Sequence, residues 1–88
     1  MQMIIFDEEM GDIVKKIIDE MVGKVWKLLG EKGRVDISKL SQILHEKGEI
    51  VYQALGWLVR EDKIDFHKRE GRTFVSLNHK EQEIFKQS

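Results

Sequence analysis

His67, Lys68, Arg69 and Arg72 place four phosphate-bonding side chains within one six-residue stretch, separated only by Glu70 and Gly71. Guanidinium groups bond phosphate oxygens in pairs and ammonium groups act as point charges, so the chemistry open to this stretch is capture of a polyanion. Lys39, His45 and Lys47 extend the cationic set upstream. Between the two groups stand Tyr52, Gln53 and Arg60. A glutamine can pair with adenine, a tyrosine hydroxyl can bond phosphate, and an arginine can reach phosphate or guanine. Glu49 works against such contacts, because a carboxylate and a phosphate repel each other.

Other chemistries find no matching pattern. The three histidines, at 45, 67 and 79, lack the helical or tight-loop spacing of metal ligands. The carboxylate pairs Asp7-Glu8, Asp19-Glu20 and Glu61-Asp62 are adjacent in sequence, and adjacent side chains on a helix diverge. No glycine-rich phosphate loop or nucleophile elbow occurs, and the absence of cysteine removes disulfides and thiolate sites. Catalysis, a cofactor and a bound metal are therefore not expected. The net charge is −1 and the pI about 6.3, so polyanion binding would have to come from a local patch.

The elements that position these residues follow from periodicity. Ile13, Val14, Ile17, Ile18, Met21, Val22, Val25, Trp26, Leu28 and Leu29 form a broad apolar stripe, with Lys15, Lys16, Asp19, Glu20, Lys24 and Lys27 opposite. This predicts a helix from Asp12 that closes near Gly30 or Gly33. Residues 1–11 join apolar Met3-Ile4-Ile5-Phe6 to acidic Asp7-Glu8-Glu9 and leave open a short strand, a helical lead-in or a disordered arm. Arg34–Ile37 reads as a short extended segment. Ser38 is the expected N-cap of a second helix over about 38–46, carrying Leu40, Ile43 and Leu44.

Gly48 marks a turn, and Val51, Ala54, Leu55, Leu58 and Val59 predict a third helix over about 49–60. Its outward face holds Glu49, Gln53, Gly56 and Arg60, flanked by Tyr52 on one side and by Ile50 and Trp57 on the other. Gly56 in mid-helix suggests a close approach to the backbone, by DNA, by a second helix or, as the first expectation, by Trp26 of the same chain, and Trp57 is expected to fold against the first helix or the hairpin. After Glu61-Asp62-Lys63 the period changes to two. Lys63–Arg69 and Arg72–Asn78 predict a hairpin turning at Glu70-Gly71, with Ile64 opposite Leu77 and Phe66 opposite Val75 on the inner face. His67 and Phe74 would then share the outer face. His79–Ser88 would add a C-terminal helical turn anchored by Ile84 and Phe85 alone.

With 88 residues the chain supports one domain. It divides into an arm (1–11), a folded unit (12–79) and a C-terminal tail (80–88). No apolar run reaches the ~20 residues of a membrane span, and the N-terminus lacks a secretory pattern. The expected location is the cytoplasm.

The order of elements resembles the winged helix-turn-helix superfamily, an α+β class with three helices, a small antiparallel sheet and a C-terminal β-hairpin wing. The segment Val51-Tyr52-Gln53-Ala54-Leu55-Gly56-Trp57-Leu58-Val59-Arg60-Glu61-Asp62-Lys63-Ile64 looks like that of a small prokaryotic winged-helix family, in which a Gly-x-x-Trp pair also lies in the first helix, matched here by Gly23 and Trp26. The resemblance covers roughly residues 20–78. It implies DNA binding in transcriptional control, with the third helix in the major groove and the wing on the backbone. Carried onto this sequence, the implied DNA-facing residues are Lys39, Lys47, Tyr52, Gln53, Arg60, Lys68, Arg69 and Arg72. The competing reading is a protein-interaction module that docks a partner through Tyr52, Gly56 and Phe74. A hairpin tip can also be charged simply to stay soluble and to blunt a sheet edge. The broad apolar girth of the first helix, with Met3–Phe6 ahead of it, suggests a homodimer contact.

Overall fold

Burial of one stripe organises the longest element. The computed structural model describes the backbone of residues 2–88 and the side chains of residues 11–88, so the side chains of Met3–Phe6 lie outside the described residues. Helix α1 runs Gln2–Lys32, ten residues earlier than the periodicity from Asp12 indicates. Met21, Val25, Leu28 and Leu29 recur at i, i+4, i+7 and i+8 and are all buried. Thirty-one residues span about 46 Å at 1.5 Å each, close to the 50 Å longest dimension of the molecule. Ile13, Val14 and Ile17 prolong the stripe beyond the core and stay exposed. The helix ends where Gly33, at φ +84°, donates its N–H to the Leu29 carbonyl at 2.8 Å.

Strand β1 (Val35–Asp36) leads through a 3-10 turn (Ile37–Lys39) into the short helix α2 (Leu40–Leu44). The cap of this entry is Asp36, not Ser38. The Asp36 Oδ1 accepts from the Ser38 backbone N–H at 2.9 Å and from the Ser38 hydroxyl at 2.8 Å. These bonds favour the charged carboxylate, and the Ser38 hydroxyl does most to hold its pKa below the ordinary value. His45 closes α2 in the left-handed region at φ 56°, and Glu46 reaches back to Lys24 of α1 at 2.7 Å.

Helix α3 spans Gly48–Arg60. Val51, Ala54, Leu55 and Leu58 are buried against α1 and the sheet, whereas Val59, expected in the same stripe, is 46% exposed. The chain then enters β2 (Ile64–Arg69) and β3 (Arg72–Leu77). Their register pairs Ile64 with Leu77, Phe66 with Val75 and His67 with Phe74, as the alternation predicts. Glu70 and Gly71 both have positive φ, 52° and 80°, the conformation that a two-residue hairpin turn requires for strands of this twist.

The sheet order is β1-β3-β2, and this central place of β3 decides burial on both faces. Val75 and Leu77 are buried, but β2 is an edge strand of which only Ile64 is buried, so Phe66 is 47% exposed and not on a covered inner face. Phe74 is half-buried, because Asp36 of β1 pairs beside it opposite His67. The hairpin alone would leave that ring open.

The C-terminal residues form a full helix, α4 (His79–Gln87), and not a single turn. Asn78 caps it, its side-chain oxygen accepting the Glu81 N–H at 2.9 Å. Phe85 packs edge-on against Trp26 with ring centroids 5.3 Å apart, while Ile84, the other expected anchor, is 45% exposed. Glu81 is buried and accepts from Trp26 Nε1 at 2.9 Å and Lys63 Nζ at 3.5 Å. One carboxylate thus ties α4 to α1 and to the start of β2. Removing it leaves a part-buried indole N–H without its partner, so Glu81→Ala is expected to lower stability by about 1–2 kcal/mol. Glu81→Gln, which keeps an acceptor, should lose less. Urea unfolding read by Trp emission, with Trp57→Phe to isolate Trp26, measures both.

Candidate nucleic-acid interface

Two amphipathic elements present the candidate residues. On α3 the inward positions Val51, Ala54, Leu55 and Leu58 force Glu49, Tyr52, Gln53, Gly56, Trp57 and Arg60 outward, and all six are exposed. Tyr52 stands 54% exposed and Trp57 40%. Trp57 therefore keeps about two fifths of its surface open to solvent. Gly56 meets nothing, and a Cβ there would find open space. The closely approached glycine is Gly30 of α1, where an added Cβ would clash with the Phe85 ring.

The wing presents Lys68, Arg69 and Arg72, all exposed. Arg69 and Arg72 are the closing pair of the hairpin and face each other directly. Like charges opposite one another are unfavourable in a sheet, which makes this pair a place where an anion would relieve repulsion. His67 is not part of this tip. Its Nε2 lies 2.9 Å from the Ser76 hydroxyl, across the sheet and half-buried.

The fold also joins residues that are distant in sequence. Asp36, Ser38 and Lys39 at the entry to α2 line one hollow of about 290 Å3 with Gly71, Arg72 and Thr73 of the wing. Two cations, Lys39 and Arg72, therefore meet at one concavity, and both help to hold the Asp36 carboxylate in its charged form. Lys47 lies apart from that hollow, exposed at the N-cap of α3. Among the described residues, none of Lys39, Lys47, Arg60, Lys68, Arg69 and Arg72 takes part in an ion pair. No group of His, Asp or Glu among them could hold a metal ion, and no described helix is long and apolar enough to cross a membrane.

The side chains that periodicity misses are those of α4. Asn78-His79-Lys80-Glu81 carries the N-cap spacing that signals a helix start, yet the Glu81 carboxylate turns away from the cap to Trp26. Spacing alone marks where the helix begins, and says nothing of where that carboxylate goes.

Residues 13–77 match the model of a family described as a winged helix-turn-helix domain, DUF2582. An uncharacterised protein of Methanocaldococcus jannaschii, MJ1608, is 40% identical over 63 residues, which cover 68% of this chain and 89% of that protein. Among solved structures, a mutant of Lactococcus lactis ZitR in its apo form superposes with a TM-score of 0.70 at 18% identity, covering 99% of this chain and 69% of the other. The transcriptional regulator HlyU from Vibrio vulnificus gives 0.65 at 15% identity, covering 94% of this chain and 92% of the other. At these identities the likeness to ZitR and HlyU is one of fold.

Proposed function

Because the chain belongs to the winged helix-turn-helix family DUF2582, we propose that it is a cytoplasmic DNA-binding protein of transcriptional control. In this reading Tyr52, Gln53 and Arg60 face the major groove, while Lys68, Arg69 and Arg72 with Lys39 and Lys47 hold phosphate. The observation that carries it is the meeting of Lys39 and Arg72 at one hollow beside the wing, with no ion pair engaging any of these cations among the described residues. The fold it shares with a transcriptional regulator agrees with it. The folded unit 12–79 carries the interface, residues 2–11 lengthen α1, and residues 80–88 brace it.

Retention of a random duplex DNA pool at low and moderate salt, followed by sequencing of what is bound, tests the proposal. An enriched motif supports a regulator, and a two-fold symmetric one supports a dimeric regulator. Absence of retention even at low salt overturns it. The second reading is a protein-docking module, and one observation favours it: Tyr52, Trp57 and Val59 leave α3 with three exposed apolar or aromatic side chains, the kind that anchor protein interfaces. In that case Tyr52→Ala, not a change in the wing, abolishes partner binding.

The same proposal includes a homodimer through α1. Ile13, Val14 and Ile17, exposed by 53%, 45% and 41%, continue the stripe whose other half is core. A second copy laid against this overhang would bury both stripes. Ile17→Glu is expected to shift the protein to a monomer in sedimentation equilibrium without loss of helix content. A parent protein that is monomeric at high concentration would refute the dimer.

A further inference from the structure

Opposite its core stripe, α1 presents Gly23, Trp26, Lys27 and Gly30 at i, i+3, i+4 and i+7, all on one face. With Phe85 and Lys86 of α4 and Ser88 just after it they line an open groove of about 720 Å3, within the range of small-molecule sites. A smaller cavity of about 150 Å3 adjoins it and shares Gly30, Phe85 and Lys86. The floor is bare backbone at Gly23, where an added Cβ would meet nothing within 4 Å. The far end is closed by Phe85 seated on Gly30. Trp26 cannot turn freely, because Glu81 holds its indole N–H at 2.9 Å. Its polar edge is thus already used, and what it offers the groove is an apolar ring.

Lys27 and Lys86 stand exposed at the rim. Lys86 has one neighbour of opposite charge, the exposed Glu83 at 3.7 Å on its own helix, and Lys27 has no ion pair among the described residues. Glu81, the nearby buried carboxylate, is occupied by Trp26 and Lys63. The groove therefore combines aromatic walls with a positive rim. We propose that it is a binding site for a small, flat carboxylate such as an arylalkanoic acid, its ring lying over Gly23 against the surface that the contacting Trp26 and Phe85 rings present together and its carboxylate reaching Lys27 and Lys86. The site lies on the face of α1 away from the core stripe, and stands whether or not the protein binds DNA. Because it spans α1 and α4, a bound acid would stiffen the seat of α4 on α1.

The test uses the full chain carrying Trp57→Phe, so that emission reports Trp26 alone, titrated with phenylacetate and with its neutral amide. Phenylacetate should give a saturable change with a Kd on the order of 0.1–1 mM, as a ligand of about ten heavy atoms reaches. The amide should bind about fivefold more weakly, the contribution expected of two exposed charges. Lys27→Gln with Lys86→Gln should bring the acid to the level of the amide. Gly23→Leu should fill the groove and abolish the change while unfolding at or above the parent temperature, since leucine favours a helix where glycine does not. Equal affinity for acid and amide, an unaltered titration in Gly23→Leu, or no saturable change overturns the proposal. So does emission that follows protein concentration instead of ligand, which would mean that a second copy covers the groove.

Discussion

Alanine at both Arg69 and Arg72 is expected to weaken DNA binding roughly 30-fold at low salt, from two lost charge-assisted contacts at about 1 kcal/mol each. The slope of log affinity against log salt should flatten by about two units, because each neutralised phosphate contributes close to one. The two guanidiniums face each other across the last pair of the hairpin, so their removal takes away repulsion and not support. Thermal stability should therefore hold or rise slightly, which separates loss of binding from loss of fold. Filter binding across a salt series measures the slope directly. An unchanged slope would remove the wing from the interface, and retention lost only on Tyr52→Ala would assign α3 to a protein partner.

Leu58→Ala should be the most damaging of the single substitutions considered, at about 3 kcal/mol. Leu58 is fully buried where α3 meets α1 and the sheet, and its truncation leaves a void that packed neighbours fill only in part. Against a total stability of about 5–15 kcal/mol, this should lower the melting temperature by roughly 12–20 °C for a domain of this size. Two positions earlier on the same helix the sign reverses. Gly56→Ala meets open space and should add about 0.5–1 kcal/mol, because alanine loses less backbone freedom in a helix. Differential scanning calorimetry of the two variants tests both halves. A destabilising Gly56→Ala would mean that something does approach this face.

These opposed effects on one helix were half visible beforehand. The spacing of Val51, Ala54, Leu55, Leu58 and Val59 identifies an inward face, and all but Val59 are buried. The same spacing could not say that Gly56 has no neighbour within the chain, because that depends on what does not come near. The expectation of Trp26 as the neighbour of Gly56 fails for this reason, and the glycine that does receive one, Gly30, gives no local sign of it. Likewise, alternation and the Glu70-Gly71 turn set the hairpin register correctly, while the exposure of Phe66 follows from β2 lying at the sheet edge.

The candidate cations divide in the same way. That Lys68, Arg69 and Arg72 cluster at a hairpin tip is contained in their sequence neighbourhood. That Lys39 joins Arg72 at one hollow depends on β1 pairing with β3, a contact between residues some forty positions apart.

Sequence by itself determined the order of elements from the first helix to the hairpin, the turn, the register and most of the inward face of α1 and α3, because those follow from backbone preferences and from periodicities of 3.6 and 2 acting over a few residues. Tertiary structure alone decided which faces are covered. The Glu81 carboxylate reaches the Trp26 indole across 55 positions, and Phe85 takes its seat on Gly30 beside it. Burial and hydrogen bonding of that range arise only when distant segments are brought into contact, and so no local pattern encodes them.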